Sequence, residues 1–174
     1  VNAAYQIHRL TRLTDSKFAE GKRLSAPIFA AVSEDDITVD AGKIVEVFEK
    51  YAPSPKSRLI LYSSRPEGPA PGKGDARILV ENSRLPEMNV LAFSHPCIPM
   101  PPEDPHYGRD SGYRNCLHYT GNREKWEACR RDGRTPLGEI TSDNLAKTTL
   151  RRLSFNPHFG RMMEQMDRFI ESLE

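Results

Sequence analysis

The amino-acid sequence predicts an α/β fold in which mostly parallel strands are flanked by helices and interrupted by long irregular insertions. The apolar run at 26–32 has no polar alternation, which is typical of a strand buried on both faces of a parallel sheet. An acidic turn and a segment with apolar residues at helical spacing follow it, as in half of a β-α-β unit. The polar, proline-rich stretch 96–140 has no sustained period, which indicates an irregular excursion.

The composition narrows the range of partners. The 174 residues include 25 Lys and Arg against 24 Asp and Glu, which gives a formal net charge of +1. This is not the large positive charge that is typical of proteins that bind nucleic acid. No apolar run approaches the ~20 residues needed to cross a bilayer. We therefore predict no nucleic-acid partner and no membrane span. Three cysteines, Cys97, Cys116 and Cys129, are an odd number that leaves the redox compartment open.

The N-terminal third predicts a helix, a strand and a second helix. Apolar residues at helical spacing predict a helix over 3–13 that ends before the polar run 14–16. The apolar run at 26–32 predicts the first strand. Asp40 is a residue type that accepts the free N–H groups of a helix, so the next helix is expected to run from there to Pro53.

Three further strands are expected in the middle of the chain. The first covers 58–62 and is followed by 65–75, where proline and glycine predict an exposed, mobile loop. The second covers 78–80. The third covers 90–93, and a turn around Pro86 separates it from 78–80, so one more strand or a hairpin leads directly into Ser94 and His95.

Two helices are expected after the irregular stretch. Residues 141–143 are typical helix-capping types, and Pro157 is favoured in the first turn of a final helix. The final helix has an apolar stripe at a spacing of three and four residues, which predicts core packing. The stripe comprises Phe159, Met162, Met163, Met166, Phe169, Ile170 and Leu173.

Two residues combine suitable chemistry with a suitable place. Asp36 follows the strand at 26–32 and His95 follows the strand at 90–93, so both are expected at the carboxyl edge of the sheet and in hydrogen-bond contact. A carboxylate bonded to one imidazole nitrogen fixes the tautomer and leaves the other nitrogen free to take a proton from a nucleophile. We predict that Asp36 and His95 are the acid and the base of a catalytic triad.

These segments resemble the α/β-hydrolase family. The stretch 27–39, Pro-Ile-Phe-Ala-Ala-Val-Ser-Glu-Asp-Asp-Ile-Thr-Val, is similar to the family's penultimate core strand and acid loop, with Asp36 at the catalytic acid. Ser33 stands where that family usually has glycine. The stretch 90–95 resembles the last strand with its catalytic His, and 155–173 resembles the closing helix. Two other stretches, 101–108 and 138–155, are similar to a carboxylesterase-like subgroup.

The resemblance implies a serine hydrolase that transfers the acyl group of a small-molecule carboxylic ester to water. The family's nucleophile lies upstream of the acid, in a G-x-S-x-G elbow, and these 174 residues contain no such pattern. The nearest string, 108–112, has a different spacing and follows His95. The resemblance therefore implies that 1–174 is the C-terminal portion of one hydrolase domain, that its partner is the upstream half of the same protein, and that this chain alone is inactive.

The interval between Asp36 and His95 is longer than is usual in the family. Residues 58–88 are therefore expected to include an inserted strand or flap. Residues 96–140 are expected to lie near the site and to supply part of the substrate pocket. Since the upstream strands are missing, an unpaired sheet edge makes an oligomer a possible state of the chain.

Other interpretations of the acidic run and the histidine stay open at this stage. The run 33–36 also suits a solvated turn before a helix, and Asp35 is an alternative acid. His95 at a strand end is alternatively a structural hydrogen-bond donor. Ser94 is discounted as a nucleophile because neighbouring strand residues point to opposite faces. If the acidic run and His95 have only structural roles, the chain is expected to be a non-catalytic binding or assembly module with a hydrolase-like fold.

The cysteines also have alternative interpretations. Cys116, His118 and Cys129 together with His106 are conceivable zinc ligands, but no C-x-x-C pair supplies the usual tight spacing. We predict no metal and no other cofactor. Cys116 and Cys129 are alternatively a disulfide or two buried thiols.

Overall fold

The computed structural model describes residues 2–69, 71–131 and 133–174. Its helices are α1 (Asn2–Ala19), α2 (Ala41–Tyr51), α3 (Arg123–Arg131), α4 (Ser142–Lys147) and α5 (Phe159–Glu171). Its strands are β1 (Phe29–Ser33), β2 (Arg58–Ser63), β3 (Ile78–Asn82), β4 (Leu137–Gly138) and β5 (Arg151–Arg152). Single 3-10 turns cover Pro86–Met88, His95–Cys97 and Leu117–Tyr119. The described chain is therefore a mixture of helices and short strands.

Three strands form a parallel sheet in the order β1-β2-β3. Ala31 of β1 is in register with Ile60 of β2, and Leu61 of β2 is in register with Val80 of β3. Side chains alternate along a strand, so Leu61 and Tyr62 of β2 point to opposite faces of the sheet. Both are buried. The central strand is therefore β2, and its apolar run is explained by coverage on both faces.

Helix α2 covers one face of the sheet. It begins as predicted, because the Asp40 carboxylate accepts a hydrogen bond from the Lys43 backbone N–H at 2.9 Å. Its buried residues Val45 and Phe48 pack in one cluster with Leu61. The cap and the apolar stripe together place α2 between β1 and β2, as a β-α-β crossover requires.

Helix α5 covers the other face. Met162 is buried in the cluster that contains Tyr62 and Phe93, and Met163 packs against the same cluster. The N-terminal part of the predicted apolar stripe therefore lies in the core, whereas Ile170, near the C-terminal end of α5, is exposed. The helix starts two residues after Pro157, since the preceding turn is closed by the Asn156 side chain and carbonyl.

Helix α1 is longer than predicted and is not buried. It continues through 14–16, where Thr14 donates its hydroxyl to the Leu10 carbonyl at 2.9 Å and so satisfies its polar group within the helix. Gly21, with φ of +80°, follows the last turn. No residue of α1 is buried, although Phe18 stacks on Tyr51 of α2 with ring centroids 4.1 Å apart.

The prediction of a sheet strand at 90–93 is wrong. Val90 forms an isolated antiparallel bridge to Leu85 and a parallel bridge to Leu137. The bridge to Leu85 closes a tight turn around Asn89, whose φ is 56°. The backbone groups of Val90 are used in that turn, so the segment cannot extend the ladder of β3. Its apolar residues reflect burial rather than a sheet position.

The two-residue strands β4 and β5 form a second small parallel pair beside this segment. Gly138 of β4 is opposite Arg152 of β5. A side chain at Gly138 would approach the backbone N of Ala92 to 3.3 Å, so glycine permits close contact between β4 and 90–93. Helix α4 then begins with the predicted cap, as the Thr141 hydroxyl accepts the Asn144 N–H at 3.1 Å.

The stretch 96–140 is mostly irregular but has a small core of its own. Cys116 and Cys129 are joined by a disulfide, and both pack with Tyr119 and, more loosely, with Trp126. The disulfide resolves the alternatives for these two cysteines. It also rules out the zinc set, because neither sulfur is available as a thiolate ligand.

The loop at 65–75 has turns but no helix or strand in the part that is described. It is anchored at its end by an ion pair between Asp75 and Arg77, with 2.6 Å between carboxylate oxygen and guanidinium nitrogen. Gly72 packs against Ile78 and Val45. The loop is therefore attached to the core at two points, while its mobility stays a prediction. Within the described ranges, no helix combines the length and apolar content that a membrane span requires.

Candidate functional site

Asp36 lies in the turn that follows β1, at the carboxyl end of that strand, as predicted. Its side chain is fully buried. One carboxylate oxygen, Oδ1, accepts hydrogen bonds from the backbone N–H groups of Thr38 at 2.7 Å and Val39 at 2.6 Å. This local turn fixes the orientation of the carboxylate. Asp36 therefore has the structural role that the alternative interpretation of 33–36 predicted, because its carboxylate closes this turn.

The second carboxylate oxygen of Asp36 binds His95 twice. Oδ2 accepts the His95 backbone N–H and lies 2.7 Å from the ring nitrogen Nδ1. The predicted contact between Asp36 and His95 is therefore confirmed. Since an ionised carboxylate only accepts hydrogen bonds, the ring proton is assigned to Nδ1 and Nε2 carries a lone pair.

The free side of the imidazole faces away from this contact. The His95 side chain is 39% exposed, and no group of the described residues forms a hydrogen bond with Nε2. A fixed tautomer with an accessible Nε2 is the arrangement that a general base requires.

The hydrogen bonds keep Asp36 ionised. Burial alone would raise the pKa of this carboxyl, but the backbone N–H groups of Val39, His95 and Thr38 and the His95 ring together outweigh it, so the pKa is lowered. Four donors use all the lone-pair directions of the two oxygens. A metal ion at Asp36 would have to displace one of them, so this donor set favours hydrogen bonding over metal binding.

Two serines hold the segment that carries His95. Ser33, at the end of β1, donates its hydroxyl to the Phe93 carbonyl at 3.0 Å. Ser94 donates its hydroxyl to the Leu153 carbonyl at 3.1 Å and is fully buried. His95 therefore reaches the end of β1 through side-chain bonds, and not through strand pairing in the same sheet. Ser94 has no access to act as a nucleophile.

Asp35, the alternative acid, has a different role. One of its oxygens accepts the Ser83 hydroxyl at 2.6 Å, and the other accepts the Ser64 hydroxyl at 2.6 Å. Ser64 and Ser83 follow β2 and β3. Asp35 thus joins the carboxyl ends of the three strands and forms no hydrogen bond with His95.

The remaining thiol is not a nucleophile either. Cys97 is fully buried, two residues after His95. Burial raises the pKa of its thiol to about 12, so the thiol stays protonated at neutral pH.

Glu139 is a residue of the site that the sequence reasoning did not single out. It follows β4 and is fully buried, and one of its oxygens lies within 4.8 Å of a ligand atom of both Asp36 and His95. Among the described residues, these three form the one such group of carboxylates and imidazole. The signal was an acid directly after Leu137-Gly138, but a two-residue strand has no periodicity by which to recognise it.

Arg152 connects this group to a neighbouring cavity. Its guanidinium lies 3.1 Å from Glu139 Oε1, and it also lines a cavity of about 350 Å³. Pro96, directly after His95, is another wall of that cavity, together with Tyr107 and Tyr113. The prediction that 96–140 supplies part of a substrate pocket stays a prediction, although several residues of this stretch line the cavity next to Pro96.

The chain stands apart in comparisons with known proteins. No family model, no curated protein and no solved structure gives a significant match to it. The function of the chain is therefore argued from the geometry of the site and from the sequence itself.

Proposed function

We propose that the chain carries the acid and base of a serine hydrolase that acts on small carboxylic esters. Asp36 orients His95, and His95 takes the proton of a serine hydroxyl through Nε2 and later gives it to the leaving alkoxide. The observation that carries the proposal is the 2.7 Å contact between the buried Asp36 carboxylate and Nδ1 of the partly exposed His95 ring, whose Nε2 has no hydrogen-bond partner among the described residues.

The proposal places the nucleophile upstream of this chain. Among the described residues no nucleophile forms a hydrogen bond with Nε2, Ser94 is buried, and the Cys97 thiol is held in its protonated form. The chain order serine, acid, histidine is that of the α/β-hydrolase family, which the sequence resembles. The upstream half of the protein is therefore the proposed partner, and the chain by itself is proposed to be inactive.

The cavity lined by Pro96, the residue after His95, is the proposed substrate pocket. Its walls include Met100, Tyr107 and Tyr113, which offer apolar and aromatic contact, and Ser154, which offers a hydroxyl. About 350 Å³ is within the range of small-ligand pockets. We therefore propose a small ester with an apolar acyl or alcohol group.

The test uses a fluorophosphonate probe on the full-length gene product. The probe forms a covalent bond with an activated serine, so labelling at a G-x-S-x-G serine upstream of Val1 is expected. His95→Gln removes the general base and Asp36→Asn removes the acceptor that fixes the ring tautomer. Each is expected to slow labelling by about 10²-fold or more.

A matched control separates catalysis from folding. His8→Gln makes the same chemical change on the exposed helix α1 and is expected to label as fast as the wild type. His95→Gln is expected to melt within a few degrees of the wild type, because the ring is partly exposed and its backbone N–H stays bonded to Asp36. A full-length product without an upstream elbow serine, or a His95→Gln variant that labels normally, would disprove the proposal.

A non-catalytic binding or assembly module is the second candidate function. One observation favours it: α1 has no buried residue and leaves Tyr5, Ile7, Leu10 and Leu13 exposed. Such a helix suits contact with another protein surface. The labelling experiment distinguishes the candidates, since a binding module would not react with the probe.

A further inference from the structure

Glu139 is a buried carboxyl that the proposed triad does not use. Its Oε1 accepts the Ile140 N–H at 2.7 Å and pairs with Arg152 at 3.1 Å. Its Oε2 is buried and has no hydrogen-bond partner among the described residues. The backbone around it is fixed as well, because its carbonyl accepts the Asn144 side-chain amide at 3.1 Å. Burying a carboxyl with one unpaired oxygen costs folding free energy, even when the other oxygen forms an ion pair. A role in the site would explain why Glu139 is placed there.

The topology explains why Glu139 is near His95. Val90 forms a parallel bridge with Leu137, so the segment 90–93 and strand β4 run side by side in the same direction. His95 follows the first of these and Glu139 follows the second. Asp36 comes to the same place from the end of β1, and an atom of each of the three side chains lies within 4.8 Å of the others.

The charges of this group balance only when the imidazole is protonated. Asp36 and Glu139 contribute two negative charges when ionised, and Arg152 contributes one positive charge. With both carboxyls ionised, a neutral His95 leaves one excess negative charge in this partly buried group, whereas a protonated His95 leaves none. Burial makes such an excess expensive, because charges interact more strongly away from water.

We propose that Glu139 is a positioning residue that acts through His95: with Arg152, it sets the charge around the imidazole so that the protonated ring is the balanced state. The protonated ring is the form that His95 takes after accepting the serine proton. The catalytic consequence rests on the proposed function, but the charge coupling between Glu139 and His95 does not.

The other ionisable groups around Glu139 fit this assignment. The pKa of the Glu139 carboxyl is raised, because burial and the Asp36 charge outweigh the Ile140 N–H, Arg152 and His95, which lower it. Cys97 also lies near Asp36 and Glu139, but its thiol has a pKa of about 12 and carries no charge at neutral pH. The four charged or titrating groups are therefore Asp36, His95, Glu139 and Arg152.

The test follows the protonation of His95 by NMR in the full-length gene product labelled with ¹⁵N-histidine. The ring signals of His95 are identified by their loss in His95→Gln. In Glu139→Gln, which is nearly isosteric but uncharged, the ring is expected to take up its second proton about one pH unit lower than in the wild type. Glu139→Asp keeps the charge and is expected to restore most of the wild-type behaviour.

The matched control is Glu81→Gln. Glu81 also pairs with an arginine, Arg161, at 2.8 Å, but that pair joins β3 to α5. This variant is expected to leave the protonation of His95 unchanged. An unchanged or upward-shifted midpoint in Glu139→Gln, or an equal shift in Glu139→Asp and Glu139→Gln, would overturn the proposal.

A second measurement covers the case in which Glu139→Gln does not fold. Coupling between two titrating groups is reciprocal, so it is also visible from Glu139. The pKa of the Glu139 carboxyl, followed by ¹³C NMR, is expected to be higher in His95→Gln than in the wild type, and an equal pKa would overturn the proposal. If the labelling test fails while the coupling is found, the proposed function falls and the charge coupling stands.

Discussion

At the scale of single residues, Asp36 determines the geometry of the site. Its two oxygens accept four hydrogen bonds, two from the turn at Thr38 and Val39 and two from His95. The same carboxylate thus closes the loop after β1 and holds the histidine that arrives 59 residues later in the chain. The site depends on an ionised Asp36, so acid is expected to affect it first.

We expect Asp36 to contribute stability that is lost in acid. Its folded pKa is lowered, whereas an unfolded aspartate has a pKa of about 3.9. The stabilisation is therefore present above that value and is lost as the pH falls through the lower folded pKa. Urea unfolding between pH 2 and pH 7 should show a steeper loss in the wild type than in Asp36→Asn.

The control for this prediction is Asp110→Asn, which changes an exposed aspartate and should keep the wild-type slope. At neutral pH, Asp36→Asn should also lower the free energy of unfolding by about 1–3 kcal/mol, because its amide nitrogen cannot accept the two donors from His95. Parallel acid profiles of wild type and Asp36→Asn would contradict the prediction.

At the scale of the elements, the loop between β2 and β3 is more closely packed than its composition indicates. Gly72 has a φ of +71°, which an L side chain rarely adopts, and a Cβ there would lie 2.9 Å from Val45 Cγ1. It would also collide with Ile78. The glycine lets the loop lie against α2 and the first residue of β3, and so sets the path of this crossover.

Gly72→Ala is expected to destabilise the protein by about 1–3 kcal/mol, from backbone strain and overpacking against Val45 and Ile78. Gly121→Ala is the matched control, since a Cβ at Gly121 meets nothing within 4 Å. That variant should change the free energy of unfolding by about 0.5 kcal/mol or less. Chemical denaturation measures both, and equal effects of the two substitutions would show that the loop does not pack in this way.

At the scale of the whole molecule, the sheet edges and helix α1 of the described chain suit association with another chain. Strands β1 and β3 each pair with β2 on one side and have no strand on the other side. Helix α1 exposes a set of large apolar residues and buries none of its own. An unpaired strand edge and an apolar helix surface both favour association with another chain.

We expect the chain of 174 residues to self-associate when it is prepared alone. Its mass by light scattering should exceed the 19.7 kDa of one chain, and it should bind an apolar dye. The double variant Ile7→Glu and Leu10→Glu makes the exposed surface of α1 polar and should reduce dye binding. Association that persists in this variant would be assigned to an edge of the sheet, at β1 or β3. A monomeric wild type with a sharp melting transition would contradict the prediction and favour a self-sufficient binding module.

The sequence by itself determined the local elements and the acid. The apolar run of β2, the stripe and Asp40 cap of α2, and the Thr141 cap of α4 are local signals, because their hydrogen bonds and periodicity lie within a few residues. Asp36 was predicted for the same reason, because it closely follows the apolar run 26–32. His95 was predicted because it follows the apolar run 90–93, although the expected strand there is absent and its apolar residues serve burial instead.

Only the tertiary structure decided what surrounds the Asp36–His95 pair. Glu139 comes to it through a two-residue strand beside 90–93, and Arg152 through the strand opposite Gly138. The pairing of Cys116 with Cys129 and the role of Asp35 in joining three strand ends are likewise contacts between distant segments. Such contacts leave no periodicity in the sequence, because they depend on which backbone segments lie side by side and not on the order of neighbouring residues.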